Sequence, residues 1–191
     1  MLPSEIVREA LEKSYSSIPQ KDSLEKSHPV FLDALFNNFN YDFEAISKVM
    51  DPVLTVQNRC QLTHLYIHGI LAPTAVFLGS NTSHYPNLEL TTVGSSWLIG
   101  NDPHCAILLE HRSVDPGHAV IGYQRSHGFY VMDLGSRQGT CLNRRRLDPH
   151  TRRRLRNGDM LQFGVILVEF FIDDFEQRLQ IEPTLEDTTL S

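Results

Sequence analysis

Between Trp97 and Ile172 the chain is a series of short apolar runs cut by strong turn formers, and this punctuation limits the fold more than any other feature. The runs are Trp97–Gly100, Ala106–Leu109, His118–Ile121, Phe129–Leu134, Met160–Phe163 and Val165–Ile172. The breaks are Asn101-Asp-Pro103, Asp115-Pro-Gly117, Ser126-His-Gly128 and Asn157-Gly-Asp159. Asn, Asp and Ser fold back on their own backbone, while Gly and Pro supply the φ values that tight turns need. Two earlier runs, Thr74–Gly79 and Leu88–Val93, extend the series, the second with strand-like alternation. Many short strands at close spacing predict an all-β sandwich.

The first seventy residues have a different texture. Ile6, Val7, Ala10, Leu11 and Tyr15 recur at helical spacing, as do Val30, Phe31, Ala34, Leu35 and Phe39, then Phe43, Ile46 and Met50. Asp51-Pro52 marks a boundary, aspartate capping and proline taking the first helical position. A further helix is expected from there to about Ile70, with Val53, Val56, Cys60, Tyr66, Ile67 and Ile70 for burial. The expected fold class is α+β in segments: an α-helical N-terminal region over 1–71, a β-sandwich over 72–175, and an acidic, disordered tail over 176–191.

Charge follows the same division. The chain has 17 basic and 23 acidic side chains, a net charge of −6. Residues 1–84 hold 6 basic and 9 acidic groups, 85–175 hold 10 of each, and 176–191 hold 1 and 4. Seven of the 13 arginines fall within 144–156: Arg144, Arg145, Arg146, Arg152, Arg153, Arg154 and Arg156. Bulk acidity argues against a general nucleic-acid binder, whereas this cluster fits phosphate, carboxylate or nucleic-acid backbone. Three widely spaced cysteines fit reduced thiols and a cytoplasmic setting. No apolar run reaches the roughly 18 residues a membrane span needs, so no membrane insertion is expected.

Trp97 to Phe171 resembles a forkhead-associated domain, a phosphothreonine-recognising β-sandwich. The resemblance runs through Ile99-Gly100, Ala106–Leu109, Val114 with His118–Ile121, and Phe129–Leu134. It continues through Gly135–Asn143, Leu155, Gly158-Asp159, Leu161 and Phe163-Gly164. It implies that strands build the scaffold and that loops at one end read the ligand. It also implies loop support from Gly100, His118, Gly139 and Thr140, with the His118 ring bracing the base of the binding loops.

Three ligand positions depart from the family pattern. Asn101 stands where the family has arginine, Asp115 where it has serine, and Gln138 where it has asparagine. A phosphothreonine brings about −1.5 to −2 charge, and each charge-assisted hydrogen bond to it is worth about 1.5–3 kcal/mol. Losing the arginine and the serine donor removes most of that. Asn101, Arg112, Asp115, Ser136, Arg137 and Gln138 are the ligand-loop candidates, with Arg112 and Arg137 placed to turn toward an anion.

No phosphate-binding glycine loop, nucleophile elbow or carboxylate pair has a recognisable context, so no enzyme, catalytic residue, cofactor or metal is expected. His64 and His68 share a helical spacing but lack the glutamate of a zinc hydrolase. The sequence therefore reads as a non-catalytic protein-interaction or signalling adaptor with a degenerate forkhead-associated domain, binding a protein partner without regard to phosphorylation. Three other readings stay open: a phosphothreonine-peptide reader with a shifted site, a nucleic-acid-associated regulator using the arginine cluster, and a homodimer built on the N-terminal helices.

Overall fold

Alternation of apolar and polar residues along the short runs drives the second half of the chain into two facing sheets. The computed structural model describes residues 55–72, 75–83 and 89–174. The helical stripes expected within 6–50 and the tail at 176–191 lie outside the described residues, as does any dimer surface on those helices.

A 3-10 turn, Val56–Arg59, precedes β1 (Tyr66–Leu71), β2 (Val76–Ser80), β3 (Glu89–Leu90), β4 (Ser96–Gly100), β5 (Ile107–Leu108) and β6 (Ala119–Gln124). There follow β7 (Gly128–Asp133), β8 (Thr140–Leu142), β9 (Arg145–Arg146), β10 (Arg153–Arg154), β11 (Asp159–Phe163) and β12 (Ile166–Asp174). One sheet has seven strands in the order β3-β2-β1-β12-β11-β8-β9, the other five in the order β10-β7-β6-β4-β5.

Register places the core between them. On β6 and β7, Ile121 pairs with Val131, and both are buried, while the intervening Val120 and Met132 point away and are half-buried. From the other sheet, Ile67, Leu78, Leu161, Phe163, Val168 and Phe170 meet Trp97, Ile99, Ile107 and Phe129 in one cluster. Phe129 lies edge-on to Phe170, ring centroids 5.6 Å apart, and 6.5 Å from Trp97. Each fully buried phenylalanine contributes about 1.5–3 kcal/mol.

Among the described residues, the helix expected through about Ile70 does not continue past the 3-10 turn at Val56–Arg59. Tyr66–Leu71 is instead strand β1, parallel to β12 (Ile67 opposite Phe170) and antiparallel to β2. The sandwich thus has a strand inside the span 1–71 assigned above to the helical region. The strand is buried on both faces: Ile67 enters the central core, and Tyr66 packs with Val56 and Phe171 on the outer side. Residues 59–63 are tied to that outer side by two buried acids. Glu169 Oε1 accepts the backbone N–H groups of Gln61, Leu62 and Thr63 at 2.7–3.0 Å. Asp173 Oδ2 lies 2.6 Å from both Arg59 Nη1 and His68 Nε2. Burial works to raise the Asp173 pKa, but His68 and Arg59 outweigh it and hold the carboxyl below its ordinary value. The helical face expected to carry both His64 and His68 does not exist: His68 is buried in β1 and His64 is exposed before it.

A candidate recognition site at one end of the sandwich

Strand direction brings three connections to the same end. β4 ends at Gly100, β6 starts opposite it (Ile99 beside Ala119), and β7 ends with Asp133 opposite Ala119. The segments after β4, before β6 and after β7 therefore meet. The turn between β11 and β12 joins them, Gly164 N–H donating to the Gly139 carbonyl at 3.2 Å and Val165 N–H to Ser113 Oγ at 3.1 Å. Approach is close enough at Gly100 that a Cβ there would stand 2.0 Å from the Pro116 carbonyl oxygen, so no other residue fits.

Half of the ligand-loop candidates, Asn101, Asp115 and Arg137, are linked by hydrogen bonds. The Asp115 carboxylate accepts two hydrogen bonds from Arg137, from its backbone N–H to Oδ2 and from Nε to Oδ1, both 2.7 Å. The backbone hydrogen bond from Arg137, followed by its guanidinium bond, holds the Asp115 carboxyl below its ordinary value. Asn101 Nδ2 donates to the Val114 carbonyl at 2.6 Å, and Asn101 N–H to the Asp115 carbonyl at 3.1 Å. Gln138 presents its backbone carbonyl to Arg146 Nη1 at 2.8 Å. Arg112 is exposed and makes no side-chain hydrogen bond or ion pair among the described residues. Six positions named from the sequence thus lie in one loop cluster; Asn101 holds the backbone carbonyls of 114 and 115, and Arg137 holds the Asp115 carboxylate.

The base of the cluster is polar and buried. His118 accepts the Asp115 N–H on Nδ1 at 3.1 Å and donates from Nε2 to the Gly139 carbonyl at 3.3 Å. That pattern needs a neutral ring with its proton on Nε2. Burial lowers the His118 pKa, against smaller raising effects from the Gly139 carbonyl, Asp133 and Asp115. Gly139 holds φ at +80°, and a Cβ there would meet the Arg146 guanidinium at 2.4 Å.

Asp133 was not singled out from the sequence, yet it organises the loop after β7. Its carboxylate accepts Gly135 N–H at 2.8 Å, Ser136 N–H at 3.0 Å, Ser136 Oγ at 2.5 Å and Thr140 Oγ1 at 2.7 Å. Burial works to raise its pKa, and the Ser136 and Thr140 hydroxyls with the two amides bring it below the ordinary value. Ser136 is therefore engaged in holding its own loop. The readable signal was the Asp133-Leu-Gly-Ser spacing, in which an aspartate just before a glycine can cap the turn that follows.

The seven arginines of 144–156 are all exposed and lie away from the loop cluster, except where Arg146 reaches Gln138. Arg152 stacks on the Tyr130 ring at 4.6 Å from its centroid, and Arg153 Nη2 pairs with Asp148 Oδ2 at 3.3 Å. No cluster of three or more potential metal ligands exists among the described residues, and among them no helix is long and apolar enough to cross a membrane.

Known proteins resemble part of this chain. Human Kanadaptin is 35% identical over 108 residues, which cover 51% of this chain and 15% of that protein. Mouse Smad nuclear-interacting protein 1 is 33% identical over 91 residues, 41% of this chain and 24% of that one. The chain thus spans less than a quarter of the length of either relative. The FHA domain of an Arabidopsis thaliana protein, solved in solution, aligns at 24% identity over 48% of this chain and 79% of its own, with a TM-score of 0.41. Residues 97–164 match the FHA domain family, and the chain carries a forkhead-associated domain there.

Proposed function

We propose that this FHA domain is a non-catalytic adaptor that binds a protein partner without requiring a phosphothreonine. The observation that carries this reading is the pairing of Asp115 with Arg137. By the family pattern, the position of Asp115 would offer a hydroxyl to phosphate. Here it offers a carboxylate, which already accepts the Arg137 amide and guanidinium bonds at 2.7 Å. An incoming phosphate would have to displace that carboxylate and then sit beside its negative charge. Asn101 adds no charge, and its amide is committed to the Val114 carbonyl. Of the two loop cations that could serve a reader with a shifted site, Arg137 is thus engaged by the chain's own acid, whereas Arg112 is exposed and has no such partner among the described residues.

A degenerate phosphothreonine peptide library, titrated against the full chain beside its unphosphorylated twin, tests this. The expected result is affinities within about threefold of one another. A micromolar preference for the phosphorylated library overturns the proposal.

A further inference from the structure

Outside the loop cluster, the strongest unassigned feature is the open side of the sandwich where both sheets end in arginine. β9 (Arg145–Arg146) is the last strand of the seven-stranded sheet, and β10 (Arg153–Arg154) is the last of the five-stranded one. Six residues join them, and the flanking Leu147 and Leu155 are buried in the common core, so the two edges lie on one side of the molecule. The opposite edges, β3 (Glu89–Leu90) and β5 (Ile107–Leu108), carry no arginine.

The run extends along the sandwich. Arg146 reaches the recognition loops through Gln138, whereas Arg144 and Arg156 belong to turns at the other end, where Asn143 Nδ2 bonds Asp159 and Asn157 Oδ1 accepts Ile172 N–H. Arg144, Arg145, Arg154 and Arg156 make no side-chain hydrogen bond or ion pair among the described residues. Asp148 faces Arg153 as the sole acid within 144–156.

We infer that this edge binds an extended acidic segment of a partner protein. Two features select that chemistry. Edge strands leave backbone N–H and C=O groups open to an added strand, and a peptide can pair with them while a nucleic acid cannot. Tyr130, which β7 sets opposite Arg154, is already stacked by Arg152, so its ring is taken as a platform for single-stranded nucleic acid. The same positive charge repels a second copy of this edge, leaving acidic side chains as the complement. The inference rests on reading the chain as a protein-binding module and supplies its surface and partner chemistry, independently of the loops.

The test is fluorescence anisotropy of the full chain with a labelled oligo-glutamate, a labelled oligo-glutamine and a labelled single-stranded oligonucleotide. Oligo-glutamate is expected to bind, and oligo-glutamine and the oligonucleotide to bind more weakly. The pair Arg145→Ala and Arg154→Ala, both exposed, should weaken oligo-glutamate by about tenfold, and removing the loop cation in Arg137→Ala should leave it unchanged. Amide hydrogen exchange along 144–154 should slow when oligo-glutamate is added. Tighter binding of the oligonucleotide, or oligo-glutamate binding that ignores the arginine substitutions, overturns the edge proposal and leaves the loop proposal standing. Loss of that binding in Arg137→Ala alone would assign it to the loops and overturn the edge proposal too.

Discussion

The loop end and the arginine edge of the sandwich both carry positive charge, but they differ in how much of it an internal acid takes up. At the loops, Arg137 closes on Asp115 through two bonds of 2.7 Å, over a buried base of His118 and Asp133. Along the edge, seven exposed arginines face a single internal acid, Asp148 at 3.3 Å. Counting arginines would rank the two regions by number. Tracing their partners ranks them by availability, and the edge comes first.

The contrast can be broken most severely at its buried base. Asp133→Ala removes an acid that anchors two amides and two hydroxyls, and unfolding in denaturant should show a loss of about 3–4 kcal/mol. A loss below about 1 kcal/mol would mean the loop is not built on Asp133. Next comes Gly100→Ala, whose new methyl would collide with the Pro116 backbone, costing about 2 kcal/mol by the same measurement.

Acid should loosen the loop end before it affects the edge. The folded-state pKa of His118 is lowered by burial, so its contribution is present above the ordinary histidine value and declines as pH falls below it. Asp115, Asp133 and Asp173 are also lowered, so their contributions are present above the ordinary carboxylate value and are lost as pH falls through the lower folded values. Thermal midpoints measured from neutral to strongly acidic pH should therefore fall in two stages. A flat first stage, or one unaltered in His118→Asn, would contradict the neutral ring assigned to His118. The smallest effect belongs to the edge: Arg153→Ala breaks one exposed pair and should change stability by less than about 1 kcal/mol.

The legible parts of the sequence were those whose signal is local. Alternation at Phe129–Asp133 and the turn formers at Asn157-Gly158 locate β7 and the start of β11, and Gly100, His118 and Gly139 stand at the base of the loops. β1 was hidden because Tyr66, Ile67 and Ile70 also fit a helical stripe, and a strand buried on both faces has no alternation to betray it. β9 and β10 were hidden because each is two arginines long and buries neither. Asp115 reads in sequence as a charge that repels phosphate, and Arg137 as one free to turn toward an anion. Their pairing spans 22 positions and becomes visible only when β4, β6 and β7 bring the loops together.

The most direct measurement follows the Arg137 backbone amide by NMR while phosphothreonine is added to the full chain and to Asp115→Ser. Internal occupation by Asp115 predicts an amide that stays still in the wild-type chain and shifts saturably once the carboxylate is gone. An amide that shifts as far, at the same concentration, with Asp115 in place would contradict it.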